Sequence, residues 1–212
     1  MTKRLLHNAQ VIDPEAGTVS RGDIRIENGM ITQVSQSPLS ANPNEHAVDC
    51  HGKYLAPGII DIGVKVCEPG ERHKESFKSA GLAAAAGGIT TMVTRPDTTP
   101  AIDSPETLEF IARRANQATP VNVMPMAALT KGRNGRKMSE IGFLIDAGAI
   151  AFTDCDHVVS NPKVFARALS YACALGALVI AHPQEPTLSK GAAATSGKFA
   201  SLRGLPAVSA MA

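Results

Sequence analysis

From Pro57 onward, apolar runs of strand length begin near Gly58, Ile89, Val121, Ala149 and Leu178, and helix-type apolar spacing fills the stretches between them. The helices announce their ends. Ser104-Pro105 and Asn161-Pro162 each set a capping side chain before a proline at the first helical position, and Gly87-Gly88, Gly148 and Gly176 stop the turns that precede the next strand. A strand followed by a helix, repeated at intervals of roughly thirty residues, is the βα unit of a parallel sheet covered by helices. The pattern predicts four complete units and a fifth strand.

The first fifty-odd residues follow a period of two instead. Leu5 to Val11, Gly22 to Glu27 and Met30 to Ser35 read as short strands, and Asn28-Gly29 between the last two favours the left-handed geometry of a tight hairpin. This predicts a small antiparallel sheet. Gln36 to Glu45 reads as a surface loop, and Ala47 to Cys50 as a further extended segment leading into the periodic part. The expected division is a small β-sandwich part over 1–55 and the βα series over 56–212.

Composition changes little in this picture but narrows the classes. With 212 residues, 44% of them hydrophobic, and a net charge of +2, the chain has material for a real core and no charge excess that would call for nucleic acid or a membrane surface. Aromatics make up only 4% and Trp is absent, so the core must be built from Ala, Val, Ile and Leu, which suits closely packed α/β layers. Cys50, Cys67, Cys155 and Cys173 show no paired spacing, and no apolar leader precedes the first polar residues, which predicts a reduced, cytoplasmic protein.

A βα series closes either as an open doubly wound sheet or as an eight-stranded barrel. No G-x-G-x-x-G turn follows the first strand of the series, which weakens the first option. Polar groups sit at the strand ends: Lys65 and Cys67, Arg95 and Asp97, Thr130 and Lys131, Asp154, then His182. In a barrel these converge on the C-terminal rim, where such folds keep their chemistry. A closed barrel takes about 250 residues. Five strands cannot close one, so the chain is expected to be a fragment, a broken polypeptide or one half of an assembly, with bare sheet edges that invite a partner. Leu202 to Ala212 reads as the entry to another helix.

LAPGIIDIGVKVCEPG (55–70), AAAAGGITTMVTRPDTTPAID (83–103) and the run from Ala151 to Leu205 resemble the dihydroorotase family of metal-dependent amidohydrolases. The resemblance implies an amidohydrolase-type (β/α)8 barrel, here its first half, preceded by the small antiparallel β domain. In that family, zinc is held by two first-strand histidines, an aspartate after the fourth strand and histidines after the fifth and sixth. The matching positions here are Gly63, Lys65, Asp154 and His182. The family clamps the substrate carboxylate with an arginine and an asparagine whose positions here hold Cys67 and Asp97. Two ligand-type residues, Asp154 and His182, are retained, whereas 63, 65, 67 and 97 are degenerate.

Glycine offers no ligand, a lysine ammonium repels a cation, a thiol replaces a planar guanidinium, and an anion replaces a neutral amide. No zinc and no intact catalytic site are therefore expected. The expected role is that of a noncatalytic family member in pyrimidine biosynthesis, partnered with aspartate carbamoyltransferase or with its own copies. The alternatives are an active zinc-dependent cyclic amidohydrolase, dihydroorotase or hydantoinase-like, with an atypical site, and a fragment without activity. Lys65 either snorkels to water or pairs with Asp154; His182 is a family-type ligand or a satisfied core histidine; Asp154 and Asp156 are site residues or loop caps; Cys67 is read as an inert small hydrophobe. Lys131, Arg133, Arg136 and Lys137 form a solvated loop or a contact for an acidic partner. Gln184 to Arg203 is expected to be mobile.

Overall fold

Period-two sequence makes a sheet, and the period-3.6 segments that follow cover another. The computed structural model describes residues 3–212, which separate into two units, one running to Gly58 and the other Ile59–Ala212. The boundary lies after Gly58 rather than after residue 55.

The first unit is a single five-stranded sheet of β1 (Lys3–Asp13), β2 (Thr18–Glu27), β3 (Met30–Ser35), β4 (His46–Asp49) and β5 (Tyr54–Leu55). The Asn28-Gly29 hairpin forms as the dipeptide predicts, with both residues at positive φ. The expected antiparallel sheet forms from β1, β2 and β3, and β4 and β5 extend it by pairing parallel with β1, so that all five described strands of this unit lie in one sheet. The loop after β3 makes this arrangement by carrying the chain back to the start of β1. Arg25 secures that loop, donating to the Glu45 carboxylate at 2.8 Å and to the Ser40 carbonyl at 2.8 Å.

In the second unit the strands are β6 (Ile59–Val64), β7 (Ile89–Thr94), β8 (Asn122–Pro125), β9 (Ala151–Phe152) and β10 (Leu178–Val179). Between them lie α1 (Phe77–Ala86), α2 (Pro105–Ala118), α3 (Ile141–Asp146) and α4 (Pro162–Ala174). Ser76, Ser104 and Asn161 cap α1, α2 and α4 with their side-chain oxygens. β6, β7 and β8 run parallel in that order; β9 and β10 are parallel, and an Ala127–Phe152 bridge joins the two groups. Consecutive strands are thus neighbours throughout, as in a barrel wall, whereas a doubly wound sheet reverses its order at a switch point.

Register sorts the two faces of this wall. Asp61, Met92 and Val123 align on one face, and Met92 and Val123 pack with Phe77, Leu108, Ile111, Leu144 and Phe152 into the strand–helix core. The alternate positions Ile62, Val93 and Met124 face the other way, toward a barrel interior. Central Val93 packs with Met126 and Ala151, while Ile60, Ile62 and Met124 stay exposed.

After β10 come α5 (Pro186–Ser189), β11 (Ala194–Thr195), α6 (Lys198–Arg203) and β12 (Ala207–Val208). The helix entry expected over 202–212 is not formed. α6 ends at Arg203 because Gly204 takes the left-handed conformation at its C-terminus, and the chain then leaves as β12, parallel to β11. Among the described residues no helix is long and apolar enough to cross a membrane.

Candidate functional site

Strand ends position every predicted site residue, and the first strand ends irregularly. The β6–β7 register shifts between Ile62 and Val64, so Gly63 is an extra residue, with φ at +97°. Glycine adopts that conformation without the steric cost other residues meet. A Cβ at Gly63 would find no atom within 4 Å, so backbone conformation rather than space is what favours glycine.

Beyond this bulge the chain carries Lys65, whose Nζ lies 3.1 Å from Asp97 Oδ2 in the loop after β7. The pairing expected between Lys65 and Asp154 does not form. Arg95 places a guanidinium nitrogen 3.0 Å from the same Asp97 oxygen and 3.4 Å from Asp156 Oδ1 after β9. Arg133, from the loop after β8, reaches Asp156 at 3.6 Å. Lys65, Asp97, Arg95, Asp156 and Arg133 therefore form a chain of alternating charge that links four strand ends. The Asp97 bond holds the Lys65 ammonium above its ordinary pKa, against a smaller opposing effect of desolvation. Burial works against the charge of Arg95, but Cys155, Asp97 and Asp156 outweigh it and raise its pKa.

Asp154 is occupied elsewhere. Its carboxylate is buried and accepts from the Thr130 backbone N–H at 3.0 Å and from the Thr130 hydroxyl, which itself accepts from the Gly135 N–H at 2.9 Å. This fastens the loop after β8 and explains why Asp154 does not reach Lys65. The cap reading therefore describes Asp154 well, and Asp156 is the rim residue. His182 is exposed, 3.2 Å from the Gln184 side chain, so it is not a core histidine. It borders an open cleft of about 400 Å³, lined also by Gly63, Arg95, Met126, Thr153 and Cys155. Cys67 is half-buried, and its carbonyl accepts from Glu71 N–H at 2.8 Å in the turn that leads to α1.

The solvated-loop reading of the basic residues after β8 fits Arg136 and Lys137, which are exposed. It needs correcting for the other two. Lys131 donates to the Asp103 carbonyl at 2.8 Å, and Arg133 joins the charge chain and also donates to the Asp154 carbonyl at 3.4 Å. Sequence reasoning passed over Cys155. This half-buried residue has φ at +59°, and burial first, then the negative Asp97, pushes its thiol pKa up against the pull of Arg95 and Arg133. Its place between two aspartates in Thr-Asp-Cys-Asp was the available signal.

A parallel wall with consecutive strands, and a polar rim reached from four strand ends, are the features of part of a βα barrel. The chain belongs to the dihydroorotase family: the family model described as Dihydro-orotase-like matches residues 52–211. It is 35% identical over 210 residues to the dihydroorotase of Syntrophus aciditrophicus (strain SB), covering 99% of this chain and 49% of that one. With the dihydroorotase of Geobacillus kaustophilus (strain HTA426) it shares 39% over 196 residues, covering 91% and 46%. The chain thus spans about half the length of these relatives. Among solved structures, L-hydantoinase (dihydropyrimidinase) from Arthrobacter aurescens superposes with a TM-score of 0.75 at 20% identity, over 89% of this chain and 42% of that one. That likeness shows the fold, here part of an amidohydrolase barrel.

The family implies zinc, and the residues present do not fit it. A catalytic zinc site takes three protein ligands. Gly63 has no donor and the Lys65 ammonium is committed to Asp97, which leaves Asp154 and His182 as two ligand-type side chains at the family's positions in this chain. Among the described residues, no three His, Cys, Asp or Glu side chains are grouped so as to hold a metal ion.

Proposed function

We propose that this chain is a noncatalytic, cytoplasmic dihydroorotase-family protein that serves pyrimidine biosynthesis as a structural partner of aspartate carbamoyltransferase, or of its own copies. One observation carries the reading: the Lys65 ammonium sits against Asp97 at a position where the family places a metal ligand. A fixed cation there disfavours a divalent metal by charge repulsion, and without the metal no hydroxide is generated to open a cyclic amide. The Asp97 carboxylate likewise repels a substrate carboxylate. What the chain retains is the barrel frame.

The test has three arms on the native protein. Elemental analysis should find zinc well below one per chain, dihydroorotate should not be hydrolysed, and purification from the native cell should recover a carbamoyltransferase. Stoichiometric zinc together with turnover of dihydroorotate would instead establish the second reading, an active cyclic amidohydrolase, which the 39% identity to a named dihydroorotase favours. Recovery of neither a carbamoyltransferase nor a self-associated form would overturn the structural role.

A further inference from the structure

The outer helices leave an apolar patch bare in the middle of the wall. Phe143 on α3 is 66% exposed, and Tyr171 and Leu175, one turn apart at the C-terminal end of α4, are 42% and 43% exposed. The three are neighbours. A Cβ at Gly142 would lie 3.3 Å from Tyr171 Oη and 3.8 Å from Leu175 Cδ1, so both α4 side chains lie against the α3 backbone beside Phe143. Charges of opposite sign flank the patch. Glu140 stands one turn before Phe143 and Arg167 one turn before Tyr171; both are exposed, and among the described residues neither forms an ion pair.

Position limits what can cover this face. α3 packs beside α2 on one side and meets α4 on the other, so strands and helices added beyond β6 or β10 would extend the wall at its edges and leave α3 bare. The occupant is another molecule, and the patch fits itself. Because β8, β9 and β10 run parallel, α3 and α4, which return between them, point the same way. A two-fold axis along the helices therefore sets α3 of one copy against α4 of the other with neither reversed. Along the helix axis Glu140 and Phe143 are about 4.5 Å apart, and Arg167 and Tyr171 about 6 Å. When Phe143 meets the second copy's Tyr171 and Leu175, Glu140 thus falls within reach of its Arg167, and symmetry makes every contact twice. A two-fold across the helices would instead face α3 with α3 and bring Glu140 toward Asp146, a like charge. We propose that the α3–α4 face is the contact between two copies of this chain, with Phe143 of each against Tyr171 and Leu175 of the other, bordered by two Glu140–Arg167 ion pairs. The inference rests on the structural role proposed above and names the surface through which a second copy takes part in it.

Sedimentation velocity on the full chain across micromolar concentrations is the test, with zinc and dihydroorotate turnover measured on the same samples. Wild type should sediment as a dimer. Phe143→Asp should raise the dimer dissociation constant at least about thirtyfold, as for a central aromatic anchor, and leave circular dichroism unchanged because the side chain supports no core. Glu140→Arg and Arg167→Glu should each weaken the dimer, more at low salt than at high, and the double variant should recover it by rebuilding both pairs in reverse. A monomeric wild type overturns the proposal, as does a dimer that tolerates Phe143→Asp or a charge exchange that restores nothing. Should Phe143→Asp not fold, the charge exchange decides alone. If a monomeric wild type recovers a carbamoyltransferase from the native cell and Phe143→Asp does not, the face belongs to that protein: the second copy is refuted and the structural role stands. Zinc with turnover in a dimeric wild type refutes the noncatalytic reading and leaves the face intact.

Discussion

Replacing Asp154 separates its structural work from the ligand role its position implies. Asp154 and Thr130 are both buried, and the carboxylate takes two donors from Thr130, the backbone N–H at 3.0 Å and the hydroxyl. Asp154→Ala strips both. A buried donor left without a partner costs about 1–3 kcal/mol, and two of them at about 1.5 kcal/mol each set the expected loss at about 3 kcal/mol. For a unit of this size that corresponds to a fall in Tm of roughly 6–12 °C. Asp154→Asn keeps one acceptor for the Thr130 N–H and should cost about 1 kcal/mol. Urea unfolding of chelator-treated protein, followed by circular dichroism, measures both. Thr130→Val supplies the second corner of a cycle, whose coupling to Asp154→Ala should be at least about 1 kcal/mol. If Asp154→Ala lies within about 0.5 kcal/mol of wild type, as a substitution away from any structural feature would, the argument from Thr130 fails.

Further outcomes follow from the rim and from the turn before α1. A cycle of Lys65→Met with Asp97→Asn should show a stability coupling of about 0.5 kcal/mol that shrinks with salt, because Lys65 is half exposed, while Lys65→Met with Asp154→Asn should show none; the reverse pattern would restore the Lys65–Asp154 pair. Glu68 is buried, which alone would raise its pKa, but the bonds from Arg114 at 2.7 Å and Phe77 N–H at 3.0 Å, with the charge of Arg72, bring it below the ordinary value. A depressed folded pKa adds stability that is present above the unfolded value of about 4.3 and is lost as pH falls through the folded one, so Glu68→Gln should flatten the acid limb of the stability curve; an unchanged slope there refutes it. At about pH 8, near an ordinary thiol pKa, iodoacetamide should modify exposed Cys173 well before Cys155, and peptide mapping that finds Cys155 as fast as Cys173 would contradict the raised thiol.

Much of the fold was legible because its signals are local. Ser104-Pro105 and Asn161-Pro162 start helices, and Gly148 and Gly176 end them, through hydrogen bonds and backbone angles set within a few residues. Period-two and period-3.6 patterns needed only neighbouring positions, and the strand ends they located carry the rim residues. Pairing across the chain was another matter. The parallel addition of β4 and β5 to β1 depends on where a loop returns, and sequence alternation is the same for either strand direction.

At the site, the residue types were plain from the sequence, and what each one does depended on tertiary structure. Lys65, Asp97, Asp154 and His182 could all be assigned to strand ends, but Lys65 had more than one carboxylate to choose from. The bulge at Gly63 and the loop after β7 bring Asp97 to it, while Thr130, 24 residues before Asp154 in sequence, draws Asp154 into the wall. Ion pairs and buried hydrogen bonds act over a few ångströms, so their partners are chosen by backbone paths that converge only once the strands are side by side.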